Sequence, residues 1–176
     1  MKTFQQFVSL CEGGLARQLS NAKDKDTGHI SADRGSDEGE NRKKRKGLEK
    51  DLKKKGIGYK KTTGKYKYDD GSDASEVSYS TTKPEGMSKR KFGKTMRKLG
   101  RKHDQESVIT KKPGKKATLH YTDKSGKKSE GLGKEKAGKH PDGYGETGEK
   151  RQRGSKLKDK KKDRSMHYAW KHLSNF

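Results

Sequence analysis

The spacing of apolar residues predicts two amphipathic helices in this chain. The first has an inner stripe at helical spacing, made of Asn41, Arg45, Leu48 and Leu52. Asp37 and Glu40 form a D-x-x-E variant of the capping box at its start, and Gly56 is a stop signal at its end. We therefore expect a helix over residues 37–55, in which Arg45 must extend to solvent or form an ion pair.

The second predicted helix begins after Pro84 and Gly86, which end the segment before it. Ser88 can cap its first turn. Its inner stripe is made of Phe92, Met96, Leu99 and His103. Gly100 either weakens the last turn of this helix or ends it.

Shorter segments in which apolar and polar residues alternate predict strands. They cover residues 29–34, 59–68, 74–82, 107–110 and 117–122. Pro113 and Gly114 suit the central positions of a type II turn, which predicts a hairpin from the last two strands. Together these elements predict an α+β fold, with a small, mainly antiparallel sheet and two packed helices.

The segments outside this core have different patterns. Residues 124–163 are rich in glycine and charge and almost lack aliphatic residues, which predicts a flexible basic tail without a core. A stripe of Met166, Ala169, Trp170 and Leu173 predicts a C-terminal amphipathic helix. The predicted organisation is a leader (1–12), a linker (13–27), an α+β core domain (28–123), the flexible segment (124–163) and the C-terminal helix (164–176).

Composition limits the size of the core and suggests a partner. Of the 176 residues, 23% are hydrophobic and 40% are charged, so the core must be small. The formal net charge of +23 predicts a polyanionic partner, most simply DNA, with an anionic membrane surface as the weaker alternative. No apolar run approaches the roughly 20 residues that cross a bilayer, and a single cysteine fits a reducing compartment.

Clustered basic residues are the candidate DNA-contacting groups. They lie on the first helix, among the tyrosines that follow it and in the tail: Arg42, Lys43, Lys46, Lys50, Lys53, Lys54, Lys60, Lys61, Lys65, Lys67, Lys156, Lys158, Lys160, Lys161 and Lys162. Such cations can lie along phosphates while Tyr59, Tyr66 and Tyr68 stack on bases. Two alternatives stay open: a charged face that serves solubility alone, and tyrosines that fill a thin core.

Few residues suggest catalysis. Asp33 and Arg34 end the first predicted strand, where α/β units commonly form clefts, and they are the candidate catalytic pair. The alternative is a salt bridge or a cap that holds the turn into the helix. The six histidines are scattered without metal-ligand spacing, and no glycine-rich phosphate loop is found, so we expect neither a metal nor a cofactor.

Residues 1–12, MKTFQQFVSLCE, resemble the capsid-targeting leader of internal head proteins of T-even-like phages. The matching residues are Met1, Lys2, Thr3, Phe4, Gln5 and Phe7. In that family a prohead protease cuts after a triplet of Leu or Ile, any residue, and Glu. Leu10, Cys11 and Glu12 match this triplet, so the resemblance implies a cut before Gly13. An amphipathic N-terminal helix that docks on its own domain or on a partner is the alternative.

A second resemblance covers residues 28–123. Four segments are similar to a widespread phage-encoded domain: ISADRG, ENRKKRKGLEKDLKKKGIGY without regard to every intervening residue, GKY and KLGRKHDQESVI. This resemblance implies a compact α/β unit and assigns no catalytic residue.

Together these observations predict a phage internal head protein that is not an enzyme. It would be made in the host cytoplasm, packaged inside the virion with prohead core or scaffold proteins, and bound to DNA without sequence preference. Two alternatives stay open. One is a small enzyme that acts on nucleic acid or host components through a cleft at Asp33 and Arg34, and the other is a basic structural adaptor of the virion.

Overall fold

The fold is α+β, as the sequence predicts. The computed structural model describes residues 21–67, 73–123, 128–137, 153–158 and 163–168, with side chains for 21–62, 76–123 and 128–134. In chain order the elements are β1 (Thr27–Ser31), α1 (Glu38–Lys54), β2 (Gly58–Lys67), β3 (Asp73–Thr82), α2 (Lys89–Lys102), β4 (Ser107–Lys111), β5 (Ala117–Tyr121), β6 (Ser129–Gly131), β7 (Glu135–Ala137), β8 (Arg153–Lys158) and β9 (Asp163–Tyr168). A helical turn at residues 21–24 precedes β1.

The centre of the sheet has the split βαβ arrangement of ferredoxin-like domains. Its first four strands lie in the order β4-β1-β3-β2, and neighbouring strands are antiparallel. Helix α1 joins β1 to β2, and α2 joins β3 to β4. In the register of the central strand, Thr27 of β1 lies opposite Thr82 on one side and Lys111 on the other. Strand β1 is therefore enclosed by partners on both sides, and its five residues are buried.

Helix α1 begins and ends at the predicted signals. The Asp37 carboxylate accepts a hydrogen bond from the Glu40 amide, and Gly56 has a φ of 64° directly after the helix. Leu48 and Leu52, the two predicted apolar anchors, have no exposed surface. Most of the remaining helix surface is polar and exposed, so two leucines carry much of the contact with the core.

Helix α2 is also confirmed, but it ends differently from the prediction. Its residues Phe92, Met96 and Leu99 are buried in the main core. Gly100 lies inside the helix, and a Cβ there would lie 2.7 Å from a methyl carbon of Val108. Gly100 is therefore required for close packing of α2 on β4, rather than for ending the helix.

The predicted hairpin is confirmed as β4 and β5. The Lys115 amide donates to the Lys112 carbonyl at 3.1 Å, and Gly114 has a φ of 63°, as the turn requires. Val108 is buried against the helices, whereas Ile109 packs on the opposite face in a second cluster. That second cluster consists of Ala117, Leu119 and Leu132, with Ile109 and Tyr121 at its margin.

The prediction that residues 124–163 form no core is wrong at Leu132, within the residues 128–134 whose side chains the structure describes. Strand β6 extends the sheet beyond β5, and Leu132 is only 2% exposed. Strand β8 pairs with β2, where Thr63 lies opposite Lys156. Composition predicted no core because it describes the segment in isolation. Pairing with strands from elsewhere in the chain gives the segment backbone hydrogen-bond partners and covers its isolated apolar side chains.

The predicted C-terminal helix from residue 164 is wrong for the part that the structure describes. Residues Asp163–Tyr168 form β9, which pairs with β8, and Trp170 lies outside the described residues. The helical stripe was a weak signal because a short segment can also satisfy its backbone groups by strand pairing, and an available strand edge then decides the outcome.

The nine strands of the described part lie in the order β6-β5-β4-β1-β3-β2-β8-β9-β7. Strands β6 and β7 occupy opposite edges, yet only residues 132–134 separate them in the chain. These residues span roughly 14 Å at most, whereas eight strand spacings in a flat sheet span about 38 Å. The sheet must therefore curl so that its two edges approach each other. Neither helix of the described part combines the length and apolar composition that a bilayer crossing requires.

Candidate functional site

The site begins where β1 ends, with a partly buried ion pair between Asp33 and Arg45. Two nitrogens of the Arg45 guanidinium donate to the Asp33 carboxylate, at 2.5 and 2.9 Å. The side chains are 8% and 14% exposed, respectively. The same carboxylate accepts the amide of Val77 on β3 at 2.8 Å. Asp33 therefore joins β1, α1 and β3, which is the structural role considered as the alternative to catalysis.

Arg45 is held at the same time by a second carboxylate. It donates to both oxygens of Glu38, two helical turns earlier in α1, at 2.7 and 2.8 Å. The hydrogen bonds to Glu38 and Asp33 raise the pKa of Arg45 further above its ordinary value, and Arg45 in turn lowers the pKa of Glu38. Arg45 thus pairs, as its place on the inner stripe of the helix demands, and it acts as a rigid support at this strand end.

Asn41 shapes the loop between β1 and α1. Its side-chain oxygen accepts the Arg34 amide at 2.7 Å, and its side-chain nitrogen donates to the Gly35 carbonyl at 3.1 Å. Asn41 is 5% exposed, and Gly35 has a φ of 70° that few other residues tolerate. Asn41 therefore fixes the loop that carries Arg34 through two hydrogen bonds, one to a backbone amide and one to a backbone carbonyl of that loop.

The Arg34 side chain lies on the surface between two carboxylates. Its Nη1 donates to Glu106 at 2.7 Å, and its Nε lies 3.5 Å from Asp104. The hydrogen bond to Glu106 raises the pKa of Arg34, and the side chain is 39% exposed. We call Arg34, Asp104 and Glu106 the Arg34 site, and we call Asp33, its neighbour in sequence, and Arg45 the support of this site.

Asp104 has a backbone conformation that usually favours glycine. Both helices end with the same two backbone hydrogen bonds. One amide donates to the carbonyl three residues before it, and the next amide donates to the carbonyl five residues before it. In α1 the residue in the left-handed conformation is Gly56, whereas in α2 it is Asp104, with a φ of 52°. The site thus has an acidic side chain at a position where glycine is easier to accommodate, and strain of this kind often accompanies functional sites.

Gln105 connects the two halves of the site. Its side-chain nitrogen donates to the Asp33 carbonyl at 3.2 Å and to the His103 carbonyl at 3.3 Å. Its own carbonyl accepts a short hydrogen bond from the Thr122 hydroxyl. The segment between α2 and β4 is therefore fixed against the end of β1, which brings Asp104 and Glu106 to Arg34.

Chemically, the Arg34 site offers one partly exposed guanidinium beside two exposed carboxylates. Such a combination matches a ligand with both an anionic and a cationic group, such as the head of an amino acid. Within the described residues, no three His, Cys, Asp or Glu side chains are grouped so that they could hold a metal ion.

Two further ionic clusters lie on the helix layer. Glu49 of α1 accepts the hydroxyl of buried Tyr79 and pairs with Lys61, both at 2.8 Å. The Lys61 contact lowers the pKa of Glu49, and burial raises the pKa of Tyr79. Glu49 therefore joins α1 to β2 and β3, and the cluster described next joins the two helices. These contacts between elements of the core indicate a structural role for both clusters.

The second of these clusters joins the two helices. Asp51 of α1 receives Lys102 at 2.7 Å and His103 at 2.8 Å, both from the end of α2. The hydrogen bond from Lys102 is the main cause of the lowered pKa of Asp51.

The predicted DNA-contacting residues are spread over several elements. Arg42, Lys43, Lys46, Lys50, Lys53, Lys54, Lys60 and Lys61 are exposed on α1 and β2. Lys43 pairs with Glu40, and Lys61 with Glu49. Lys65 and Lys67 belong to β2, and Lys156 and Lys158 to its neighbour β8, whereas 160–162 lie outside the described residues. The predicted cleavage site, Leu10 to Gly13, also lies outside them, so the leader and its removal stay predictions.

Sequence reasoning identified Asp33 and Arg34 but missed Asp104, Gln105 and Glu106. These three follow α2 in the chain, and no periodic pattern marks them. The absence of a glycine directly after α2, where α1 has Gly56, is a signal in the sequence that could have indicated Asp104.

Comparison with known protein families matches residues 28–165 to the S-Adenosylmethionine lyase family. This match covers more than half of the chain, so the protein belongs to that family. It also contains every residue of the Arg34 site and its support. No curated protein and no solved structure gave a significant match.

The family match corrects the predicted function. The prediction of a non-enzymatic internal head protein is wrong, because membership of a lyase family indicates an enzyme. The alternative of a small enzyme with a cleft at Asp33 and Arg34 agrees better with this finding. High positive charge had suggested a packaged DNA-binding protein, but charge reports on solubility and partners rather than on fold or chemistry.

Proposed function

We propose that this protein cleaves a carbon–sulfur bond of S-adenosylmethionine, and that the methionine part of this substrate binds at the Arg34 site. The family match over residues 28–165 is the observation that carries the proposal. The geometry of the Arg34 site supports it, because the site pairs a guanidinium with carboxylates at a rigid strand end.

The chemistry of the substrate suggests how a lyase can act on it. Its sulfonium sulfur leaves readily as a neutral thioether. The substrate's own carboxylate can attack Cγ, so that a carbon–oxygen bond forms while the carbon–sulfur bond breaks and its electron pair moves to sulfur. The products are a five-membered lactone and 5′-methylthioadenosine, and neither water nor a proton is consumed. The enzyme must chiefly hold the substrate in the folded, near-attack conformation that brings these atoms together.

The charges of the Arg34 site fit that task. The guanidinium of Arg34 can orient the substrate carboxylate, and the carboxylates of Glu106 and Asp104 can pair with its ammonium group. Arg34 must exchange part of its contact with Glu106 for the substrate, and its 39% exposure leaves room for that exchange. Asp33, Arg45 and Asn41 act as positioning residues, because they hold the loop and do not need to touch the substrate.

The test is to incubate the full-length protein with S-adenosylmethionine and follow the products by mass spectrometry. We expect 5′-methylthioadenosine and homoserine lactone with wild type. Arg34→Gln should reduce kcat/KM by roughly 10- to 100-fold, the loss of one charged hydrogen-bonded contact. Arg42→Gln, which changes an exposed arginine on α1 outside the site, should leave it unchanged.

Two results would contradict the proposal. S-adenosylhomocysteine as the product would indicate methyl transfer instead of carbon–sulfur lysis at Cγ. Equal activity of Arg34→Gln and wild type would place the substrate elsewhere in the protein.

A further inference from the structure

We infer that the outer face of α2 binds the phosphate backbone of double-stranded nucleic acid. Helix α2 contains eight lysines and arginines in 14 residues and no aspartate or glutamate. Helix α1, of similar length, carries four acidic residues among its basic ones. The two helices lie in one layer, yet only α2 has a surface of a single charge sign.

Most cations of α2 form no ion pair within the described part of the fold. All of them except Arg97, which is half-buried, are exposed. In the part of the chain that the structure describes, Lys102 is the one basic residue of α2 with a carboxylate within ion-pair distance. The remaining cations thus contribute like-charge repulsion along the helix without a compensating contact in the described residues.

The first turn of α2 makes this arrangement less favourable still. Lys89, Arg90 and Lys91 stand at the end of the helix where the backbone dipole is positive, and no acidic residue accompanies them. An anionic partner along this face would interact favourably with the positive end of the helix dipole. It would also reduce the repulsion between the like-charged side chains.

The same face forms a shallow groove of about 470 Å³. It is lined by Ser88, Arg90, Lys91, Lys94, Thr95 and Lys98. Hydroxyl groups between cations are the donors that commonly contact phosphate oxygens in nucleic-acid complexes. The side chains that line the groove are therefore of the types that bind the phosphates of a nucleic-acid backbone.

The proposed reaction does not account for this charge, an argument that rests on the proposed function. S-adenosylmethionine has an ammonium, a sulfonium and a carboxylate, and so carries a net positive charge. A protein with a formal charge of +23 repels such a substrate at long range. The basic surface therefore serves another ligand.

Among polyanions, duplex nucleic acid fits better than a membrane. Helices that lie on a membrane insert exposed apolar side chains, whereas Phe92, Met96 and Leu99 of α2 are all buried in the core. The helix is roughly 20 Å long, and a duplex presents about one phosphate charge per 1.7 Å of its axis. This surface differs from the α1 and β2 lysines that the sequence suggested.

The experiment measures binding of full-length protein to a labelled 20-base-pair duplex of arbitrary sequence, without S-adenosylmethionine, over a salt titration. The α2 variant combines Arg90→Gln, Lys91→Gln, Lys94→Gln and Lys98→Gln. The matched control on α1 combines Arg42→Gln, Lys46→Gln, Lys50→Gln and Lys53→Gln, which removes the same number of exposed arginines and lysines. Circular dichroism checks that both variants are folded.

We expect wild-type affinity to fall by about 10³ or more between 50 and 200 mM salt if roughly six phosphates are contacted. The α2 variant should bind at least 10-fold more weakly than the α1 variant at the same salt, with a flatter salt dependence. Equal losses in the two variants, or salt-independent binding by wild type, would overturn the inference. So would an α2 variant that loses binding to phosphatidylserine vesicles but keeps its affinity for the duplex.

Cleavage of S-adenosylmethionine is assayed separately, without nucleic acid. The α2 variant should cleave it as wild type does, because its substitutions lie outside the Arg34 site. Wild type that binds the duplex but cleaves no S-adenosylmethionine would refute the proposed function and leave the phosphate-binding face in place.

Discussion

The carboxylate of Asp33 and the guanidinium of Arg45 form a partly buried ion pair, with two hydrogen bonds of 2.5 and 2.9 Å, at the point where β1 enters its loop. Asp33 is followed directly in the chain by the exposed Arg34. These two neighbouring residues therefore have different roles: Asp33 stabilises the end of the strand, and the charged side chain of Arg34 lies at the surface.

We predict that Asp33→Ala lowers the free energy of unfolding by about 3 kcal/mol, because it leaves Arg45 with one partner and the Val77 amide with none. Urea denaturation at pH 7 measures the change. Glu38→Gln is the control, since exposed ion pairs contribute about 1 kcal/mol or less. A loss with Asp33→Ala no larger than the control would show that the pair does not support the fold.

The substitution Asp104→Gly should lower activity without lowering stability. Glycine adopts the left-handed conformation of residue 104 without strain, so the free energy of unfolding should stay constant or rise by about 1 kcal/mol. Cleavage of S-adenosylmethionine should fall, because one carboxylate of the Arg34 site is lost. Gly56→Asp is the reverse change at the end of α1 and should destabilise without changing cleavage by the folded protein. An active Asp104→Gly would remove Asp104 from the site.

Arg34 and Glu106 should act as a unit in catalysis. Arg34→Gln, Glu106→Gln and the double variant form a cycle in which the losses in kcat/KM are not additive, because each residue positions the other. Their effect on unfolding should stay within about 1 kcal/mol, since both side chains are substantially exposed. Strictly additive losses in activity would mean that the two residues act independently.

Two glycine substitutions in the helices should have opposite effects. Gly100→Ala places a methyl group 2.7 Å from Val108 and should destabilise by about 1–3 kcal/mol. Gly47→Ala meets His103 at an ordinary 3.6 Å and should stabilise by about 1 kcal/mol through helix propensity. Thermal unfolding compares the two, and a stabilised Gly100→Ala would contradict the close packing of α2 on β4.

Stability should fall between pH 6.5 and about pH 4 because of His29. Burial, with Lys111 nearby, lowers the pKa of this histidine to about 4, so over that range the unfolded chain takes up a proton that the folded protein does not. The loss should reach about 3 kcal/mol and stop below pH 4. His29→Gln should remove most of this slope. His120→Gln, at a half-buried histidine whose pKa is also lowered, should remove a smaller part. An unchanged slope in His29→Gln would refute the assignment.

Local structure was predictable where its cause is local. Caps act within about one turn, so Asp37 with Glu40 and Ser88 with Lys91 could be identified from neighbouring residues. Apolar spacing likewise identified the buried side of both helices, because one face of each must contact the core.

The Arg34 site could not be predicted in full for the opposite reason. Arg34 and Glu106 are 72 positions apart, and only the order of β4 beside β1 brings them together. No local pattern records which distant carboxylate a cation will meet. Similarly, the pairing of β8 and β9 depended on a strand edge elsewhere in the chain, which outweighed a helical stripe.

By itself the sequence determined the two helices with their caps, the central strands, the hairpin and the strongly positive charge, because these follow from propensity, periodicity and composition. Only the tertiary structure decided that Asp33 pairs with Arg45 and accepts the Val77 amide, that Asp104 and Glu106 flank Arg34, and that the sheet extends past residue 123. Ion pairs and strand pairing join residues far apart in the chain, and their stability depends on burial and geometry that exist only after folding.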